Sequence, residues 1–555
     1  SRGFQSGTST TLTFGLGNSE KIDSVLISWN STDIEVFQNL DLDQRHLLVK
    51  GKGKESSFPV HTTESVLEIA EISLDWKHEE RSIIDEFRRE YLIPRRYGTE
   101  GPALAVGDLN GDGLDDIFLG GANGQPSALF FQDANGGFKK VTNPFFEQLK
   151  TAEDVVAVME DFNQDGHLDL YVGSGGNEYG RGEIYNFDRV FLNDGNGNLV
   201  FSMNSLPPFG ENTSAVAVHD VNGDGHPDIF VGASVVTGNY GAFPRSYLLL
   251  NDGTGKFQDA TQSYFGEEFR PGMIQNAIWA DITGDGQKEL LLSGEWMPLI
   301  VYSLNDQQQF ERLNISGLDR PGWYFGMSVI DVESNGLQDI VFGNLGLNSK
   351  LKASQEQPVW LYHHDFDGNG QTDPLIFHYM DGKLVPFASR DDLIKQIPAL
   401  KRKHDSYVTY SKIKSPKDLI DDNQLKQANK YQVTELRSGV LGSSGSGTFE
   451  FDPFPIEAQF APIKDFKSFK GKDGSQYLLG VGNFYGFRND LGKNGSQPLT
   501  LLKWADGTWV NVPIGITSND YWGEYRKVEL IHIGETPHLV AVRNNEKPVF
   551  LKINQ

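Results

Sequence analysis

Residues 108–116 read DLNGDGLDD, and this stretch decides the fold that the sequence predicts. Side-chain oxygens stand on Asp108, Asn110, Asp112 and Asp116, and the backbone carbonyl of Leu114 adds a further one. Carboxylate, amide and carbonyl oxygens are the ligands that Ca²⁺ prefers, and a glycine permits the sharp turn of such a loop. Without a cation, so many acidic groups would repel one another. The stretch therefore predicts a calcium-binding loop.

This loop joins two strands. An EF-hand requires an acidic ligand at the twelfth loop position, which here is Leu119 in the strand-like run DIFLGG. The pattern returns with apolar flanks, at spacings of 53, 59, 61 and 50 residues, and its first aspartates are Asp108, Asp161, Asp220, Asp281 and Asp331. A period near 50–60 residues with three or four strands per unit is typical of β-propeller blades.

Two weaker units complete the predicted propeller. Residues 459–484 and 523–545 keep the strand pattern and bring the count to seven. We therefore predict an all-β fold with a seven-bladed propeller over residues 81–555. Because a propeller must join its last blade to its first, a strand from residues 60–100 should pair with the sheet of the last unit.

Residues 365–373, DFDGNGQTD, form one more acidic loop, which we expect in an outer hairpin of the fifth blade. An insertion is predicted at about residues 385–450, with a helical segment at 390–414. The basic run at 401–404 is more typical of a solvated helix face than of a partner-binding patch.

The predicted metal ligands occupy equivalent positions of five loops. They are Asp108, Asn110, Asp112, Leu114 and Asp116; Asp161, Asn163, Asp165, His167 and Asp169; Asp220, Asn222, Asp224, His226 and Asp228; Asp281, Thr283, Asp285 and Glu289; and Asp365, Asp367, Asn369, Gln371 and Asp373. The loop at Asp331 departs further from the pattern. Polar turns without metal are the alternative, but turn chemistry alone does not demand ligand types at alternate positions. Calcium is expected to be structural here, because no nucleophile or open coordination position accompanies the loops.

A second series of residues leaves the strands at the end opposite to the metal loops. We expect these residues on the other face of the propeller, around one mouth suited to a polar ligand. The candidates are Asn123, Asn177, Trp296, Asn344, Asn348, Asn483, Tyr485, Arg488, Arg543, Asn544 and Asn545. Ordinary Gly-Asn turns explain many of the same positions equally well.

Composition excludes several classes of function. The formal charge of −26 disfavours binding to nucleic acid or anionic lipid, and no apolar run reaches the roughly 20 residues of a membrane span. The absence of cysteine excludes disulfides, thiolate catalysis and sulfur-ligated metals. No nucleophile elbow, phosphate loop or zinc signature is present.

Residues 1–50 are predicted to form a small β unit, with strands at 11–17, 21–29 and 46–50, followed by a linker at 51–80. The unit resembles the ASPIC/UnbV domain, and the matching residues are Arg2, Gly3, Phe4, Gln5, Phe14, Gly15, Leu16, Gly17, Asp23, Val25 and Trp29. The repeats resemble FG-GAP/VCBS units, which build integrin-type propellers. The resemblance implies the carboxy-terminal part of a longer, exported protein, in bacteria often a lipoprotein beside outer-membrane uptake machinery.

We therefore predict a calcium-stabilised binding module on the cell surface or outside the cell. Its partner would be a protein, a glycan or another polar ligand, and membrane attachment would require a missing amino-terminal part or a partner. The alternative is a polysaccharide lyase or glycoside hydrolase on a propeller scaffold. Strongly shifted pKa values of carboxylates or histidines in the mouth would favour that alternative.

Overall fold

The computed structural model describes residues 11–17, 20–29, 33–56, 65–81, 84–445, 447–514, 516 and 521–554. The chain divides into two compact units, residues 1–65 and residues 66–555. The first unit contains an antiparallel sheet in the order β1-β2-β3, formed by β1 (Val25–Ser28), β2 (Ile34–Phe37) and β3 (Lys54–Ser56).

Only one of the three strands predicted for this unit is confirmed, at β1. The predictions at residues 11–17 and 46–50 are wrong, because the chain forms no strand in either stretch. Their apolar side chains have little to pack against: Phe14 is 72% exposed and Leu47 is 89% exposed. The motif residues Arg2, Gly3, Phe4 and Gln5 lie outside the described residues.

The second unit begins with β4 (Leu67–Ile69) and the short helix α1 (Glu86–Arg89). Four antiparallel sheets follow in chain order, the first three with four strands and the fourth with five. The first consists of β5 (Leu104–Gly107), β6 (Asp116–Leu119), β7 (Ala128–Gln132) and β8 (Phe138–Val141), and the second, after α2 (Pro144–Gln148), of β9 (Glu153–Glu160), β10 (Asp169–Gly175), β11 (Arg189–Asn193) and β12 (Leu199–Phe201). The third consists of β13 (Thr213–His219), β14 (Asp228–Ala233), β15 (Tyr247–Asn251) and β16 (Phe257–Asp259). The fourth follows α3 (Thr261–Phe265) and consists of β17 (Met273–Ala280), β18 (Glu289–Met297), β19 (Ile300–Leu304) and β20 (Phe310–Arg312). Its fifth strand, β21 (Gly322–Trp323), pairs with β18.

The fifth sheet is interrupted by an inserted sheet of its own. Its strands β22 (Gly326–Ile330) and β23 (Asp339–Gly343) precede the insertion, and β28 (Gly439–Ser443) and β29 (Phe449–Pro453) follow it. The inserted strands are β24 (Val359–His364), β25 (Asp373–Met380), β26 (Lys383–Pro386) and β27 (Asn429–Val433), in the order β26-β25-β24-β27. Between β26 and β27 lie five short helices, α4 (Arg390–Gln396), α5 (Leu400–Lys403), α6 (Tyr407–Tyr410), α7 (Pro416–Leu419) and α8 (Asp422–Gln427).

The acidic loop at residues 365–373 connects β24 and β25, so its predicted place in an outer hairpin of the fifth blade is wrong. The inserted sheet and helices bury a separate apolar cluster that includes Phe366, Leu375 and Phe377. A strand pair with an acidic loop looks the same in sequence whether it belongs to a blade or to an insertion. Pairing partners far along the chain decide between the two.

The last two sheets close the structure. The sixth contains β30 (Ile463–Lys470), β31 (Gln476–Gly482), β32 (Leu499–Ala505) and β33 (Thr508–Val512), and the seventh contains β34 (Glu524–Ile533), β35 (Thr536–Asn544), β36 (Val549–Ile553) and β4. Leu67 of β4 pairs with Ile553 and Ile69 pairs with Leu551, which confirms that an early strand completes the last sheet. Single turns of 3₁₀ helix occur at Ile184–Asn186 and Ile456–Gln459.

The ring of sheets is continuous. The first strand of each sheet contacts the first strand of the next in the order β5, β9, β13, β17, β22, β30 and β34, and β34 contacts β5. Each second strand lies between neighbouring sheets and is buried on both faces, as in β6 and β10. This burial explains why these strands read as continuous apolar runs in the sequence. The chain is an all-β propeller.

Candidate functional site

The loop between β5 and β6 folds as a tight turn around its first aspartate. Oδ1 of Asp108 accepts hydrogen bonds from the backbone N–H groups of Gly111 at 2.8 Å and Asp112 at 3.1 Å, and Oδ2 accepts one from Gly113 at 2.8 Å. Gly113 has a φ of 84°, which favours glycine at this position. The sequence therefore determines the local turn through its first aspartate and its glycine.

All six acidic loops share this turn. The first aspartate of each accepts a hydrogen bond from the backbone nitrogen five residues later, at 2.8–2.9 Å. The donors are Gly113, Gly166, Gly225, Gly286, Gly336 and Gly370. The loop at Asp331, which departs from the ligand pattern, is among them. Five of the loops lie at the same end of successive propeller sheets, and the sixth lies in the inserted sheet.

The last acidic residue of each loop ties it to the sheet. Asp116 is fully buried, and its carboxylate accepts hydrogen bonds from the backbone N–H groups of Leu109 and Gln132, both at 3.0 Å. Burial raises the pKa of Asp116 to about 6, although the two backbone donors act in the opposite direction. Burial likewise raises the pKa of Asp169, Asp228 and Asp373 to about 6. Each carboxylate oxygen retains a free lone pair for a cation.

The seventh loop positions contribute backbone groups. The backbone N–H groups of Leu114, His167, His226 and Gln371 donate to side-chain oxygens at the fifth loop positions, at 2.7–3.0 Å. The imidazole of His167 is exposed, so only its backbone carbonyl suits the predicted ligand role.

Carboxylates approach one another most closely in the fourth and sixth loops. Among the described residues, ligand atoms of Asp281, Asp285 and Glu289 lie within 4.8 Å of one another, and so do those of Asp365, Asp367 and Asp373. These clusters could hold a metal ion, and their oxygen-only donor sets fit a hard cation such as Ca²⁺. The third position is an amide in the first three loops, at Asn110, Asn163 and Asn222.

The second predicted series is mostly internal. Eight of its side chains are buried, Tyr485 is half-buried, and two are exposed. The buried members are Asn123, Asn177, Trp296, Asn344, Asn483, Arg488, Arg543 and Asn544, and the exposed members are Asn348 and Asn545. Asn483 shows the common arrangement, because its amide donates to the carbonyl of Gly523 and accepts from the N–H of Gln497, both at 2.8 Å. Such amides link neighbouring loops, which the sequence did not predict.

Several of these residues bind a segment of the same chain. The lead-in segment, residues 76–81 and 84–101, precedes the first full sheet and contacts the strand ends of several others. Asn177 donates to the Glu86 carboxylate at 2.7 Å, and Asn544 donates to that of Glu80 at 2.6 Å. The guanidinium of Arg488 donates to the carbonyl of Tyr91. The polar groups expected to face an external ligand thus hold the lead-in segment.

An ion pair anchors the centre of this segment. Arg95 and Glu295 are both fully buried, with Nε and Oε1 2.6 Å apart, and the other oxygen of Glu295 accepts from the hydroxyl of Tyr97 at 2.5 Å. Arg95 also pairs with Glu100, which pairs in turn with Lys464 at 2.8 Å. The pKa of Glu100 falls well below its usual range, because the cations outweigh the effect of burial. Burial lowers the pKa of Lys464 to about 8.

Four further ionisable groups belong to the segment or lie beside it. Burial raises the pKa of Glu80 to about 8 and that of Glu178 to about 7, and it raises the pKa of Glu153 strongly. Burial also lowers the pKa of His78 to about 3. These residues were not predicted as a site from the sequence. The only available signal was the density of charged residues between 75 and 97, which is unusual for a segment that becomes buried.

Comparison with known proteins supports the repeats and the first domain. FG-GAP-like repeats match at residues 108–172 and 161–231, and an ASPIC and UnbV domain matches at residues 1–55. Integrin alpha-V of Gallus gallus is 29% identical over 152 residues, which cover 24% of this chain and 14% of the relative. Phosphatidylinositol-glycan-specific phospholipase D of Mus musculus is 29% identical over 155 residues, covering 26% of this chain and 18% of the relative. The chain thus spans less than a fifth of the length of these relatives.

Solved structures resemble the chain weakly. A structure described as an Agrocybe aegerita lectin that recognises non-reducing terminal N-acetylglucosamine has a TM-score of 0.38 at 14% identity, covering 81% of this chain and 86% of that chain. BBS1N in complex with ARL6DN has a TM-score of 0.40 at 10% identity, covering 88% of this chain and 98% of that chain. Within the described residues, no helix is both long enough and apolar enough to cross a membrane.

Proposed function

We propose that this chain, which carries FG-GAP-like repeats and an ASPIC/UnbV domain, is a calcium-stabilised binding module that works outside the cell. One observation carries the proposal: six loops with oxygen ligands share the same hydrogen-bonded turn. Calcium sites of modest affinity fill at extracellular concentrations and stay mostly empty in cytosol. A protein with several such loops therefore suits an exported location.

Calcium would be held by the side-chain oxygens of the five loops with the full ligand pattern, together with one backbone carbonyl from each. Its role would be to neutralise the clustered carboxylates. The chain itself already supplies the turn and the link from the last acidic residue to the sheet. Since the loops lie between the first and second strands, each ion would stabilise the geometry of one sheet.

Chelation combined with a matched pair of variants tests this role. We expect calcium analysis of the purified chain to find several bound ions, and EGTA to lower the thermal midpoint. Asp112→Asn should remove about one ion per chain. Asp133→Asn is the control, because Asp133 accepts hydrogen bonds from the N–H groups of Asn135 and Gly137 in a hairpin turn without the ligand set.

The proposal would be overturned if calcium analysis found no bound ion and EGTA left the thermal midpoint unchanged. Equal calcium loss in both variants would show that the effect is not specific to the loop.

The partner-binding surface would be the rim that the lead-in segment leaves exposed. Asn348 and Asn545 are exposed there, and Tyr485 is half-buried under the Lys493 ammonium, which lies 3.7 Å from the ring centroid. Trp522 is 46% exposed, and its carbonyl accepts from Arg543 at 2.8 Å. Aromatic rings and amides of this kind suit a protein or glycan partner.

The enzyme alternative retains two observations in its favour: the shifted pKa values in and beside the lead-in segment and the similarity to a phospholipase D. The lead-in segment covers the carboxylates, however, and the cavity below it, lined by Glu100, Lys464 and Arg526, measures only about 40 Å³. That space admits only a few water molecules. We therefore expect no depolymerisation of polysaccharides. If the purified chain depolymerised a polysaccharide and Glu153→Gln abolished this activity, the enzyme alternative would replace the binding proposal.

A further inference from the structure

Two residues of the lead-in segment meet an acidic residue of the second sheet. His78 and Glu80 come from the segment, and Glu153 begins β9. One ligand atom from each of the three lies within 4.8 Å of the others. This group lies at the strand ends opposite to the acidic loops, and the loops share none of its residues.

Two polar atoms of this group, one on His78 and one on Glu153, lack hydrogen-bond partners among the described residues. His78 is fully buried and Glu153 is 2% exposed, yet neither Nε2 of His78 nor Oε1 of Glu153 has a hydrogen-bond partner in the part of the chain that the structure describes. Oε1 of the neighbouring Glu178 is buried without a partner as well. Burying a polar atom without a hydrogen-bond partner is unfavourable, so three such atoms call for a missing ligand.

The unpaired atoms lie beside two glycines of the lead-in segment. A Cβ at Gly101 would lie 2.8 Å from Oε1 of Glu153 and 3.4 Å from Nε2 of His78. A Cβ at Gly98 would lie 2.3 Å from Oε1 of Glu178. Gly101 therefore leaves room where the unpaired atoms of His78 and Glu153 meet, and a further contact holds the Glu153 side chain in place. The second oxygen of Glu153 accepts from the N–H of Asn123 at 2.6 Å.

The charges around this space do not balance. Glu80, Glu153 and Glu178 contribute three carboxyl groups, and Arg526, the cation that acts on Glu80 and His78, already pairs with Glu524 at 2.9 Å. Burying like charges without a counter-ion is strongly unfavourable. A bound cation would supply the missing charge and the missing partners at once.

We propose that His78 Nε2 and the carboxylates of Glu80 and Glu153 bind a divalent transition-metal ion. An imidazole ligand distinguishes this site from the oxygen-only loops, because Ca²⁺ takes oxygen ligands whereas imidazole suits Zn²⁺ and its neighbours. The backbone N–H of Asn545 donates to Nδ1 of His78 at 3.3 Å. Binding through Nε2 places the ring proton on Nδ1, so this long hydrogen bond is given up.

Such an ion ties the lead-in segment to the propeller. His78 and Glu80 belong to the segment, whereas Glu153 belongs to the second sheet, so one ion links elements about 70 residues apart. The metal would act as a removable cross-link that holds the segment over the strand ends.

Binding of Co²⁺, a spectroscopic substitute for Zn²⁺, tests the proposal directly. The full chain is first stripped of metal and then saturated with Ca²⁺, so that the acidic loops are filled. We expect one Co²⁺ per chain with visible absorption bands, displaced by Zn²⁺. His78→Gln and Glu153→Gln should each weaken binding at least tenfold. His538→Gln, which changes a buried histidine on β35, and Asp133→Asn should leave binding unchanged.

Thermal stability supplies a second readout with opposite signs. In metal-free protein at neutral pH, Glu153→Gln should raise the thermal midpoint, because burial disfavours the Glu153 carboxylate, whereas glutamine is neutral without taking up a proton. With Zn²⁺ present, the same variant should melt below the wild type, because it loses the ligand. Less than one-tenth of a Co²⁺ per calcium-saturated chain would overturn the proposal, as would binding that survives both site variants unchanged. Because Ca²⁺ content is measured in the same samples, failure here is distinguishable from failure of the calcium loops.

Discussion

Glu295→Gln should loosen the lead-in segment from the propeller. Glu295 is the buried partner of Arg95, at 2.6 Å, and it accepts from the hydroxyls of Tyr97 at 2.5 Å and Tyr240 at 3.3 Å. The glutamine preserves the shape but leaves the fully buried guanidinium with Glu100 alone. Removing one partner of a buried ion pair costs about 3–5 kcal/mol.

That cost corresponds to a local opening of the segment that is about 10²- to 4 × 10³-fold more frequent. Hydrogen exchange measures it at two amides that depend on the segment. The N–H of Tyr97 donates to Glu86 at 2.9 Å, and the N–H of Tyr240 donates to Glu90 at 3.0 Å. Both should exchange faster in the variant, whereas amides in the centre of β18 should not.

Asp259→Asn is the control, because it breaks the half-exposed ion pair with Arg245 at 2.9 Å and should cost less than about 1 kcal/mol. If Glu295→Gln leaves exchange at both amides at the wild-type rate, the ion pair does not hold the segment and the reasoning is wrong.

Three further outcomes are expected. Trp296→Ala should lower the free energy of unfolding in urea by about 3–5 kcal/mol, because the indole is 3% exposed and donates a hydrogen bond to the hydroxyl of Tyr240 at 2.6 Å. Asn348→Ala on the exposed rim should change this free energy by no more than about 0.5 kcal/mol. Equal effects of the two substitutions would contradict the burial of Trp296 and the exposure of Asn348. Leu67→Ala should cost about 2–5 kcal/mol in the same assay, since Leu67 is fully buried in the strand that closes the ring, and a neutral result would mean that β4 is dispensable. Burial raises the pKa of Asp188 from 3.8 to about 6, so its contribution to stability is present in full below pH 4 and is lost as the pH rises to about 6. Asp188→Asn should therefore make the free energy of unfolding depend less on pH between pH 4 and 6. An unchanged pH dependence would contradict the raised pKa.

The sequence by itself determined the repeating part of this protein. The turn at Asp108 depends on contacts within six residues, and the apolar runs around it specify strands, so both the acidic loops and the sheets can be read from local pattern. The closing strand was also predictable, because a ring of blades has no other way to satisfy its last sheet.

Only the tertiary structure decided what lies at the opposite strand ends. Asn177, Asn544 and Arg488 converge there as expected, but they bind residues 76–81 and 84–101 of the same chain. The contact from Asn177 to Glu86 spans 91 residues and that from Asn544 to Glu80 spans 464, and no periodicity records such pairings. A segment rich in charged residues is expected to be exposed, because its sequence does not show the distant partners that allow it to be buried. For the same reason, the meeting of His78, Glu80 and Glu153 is a property of the folded chain alone.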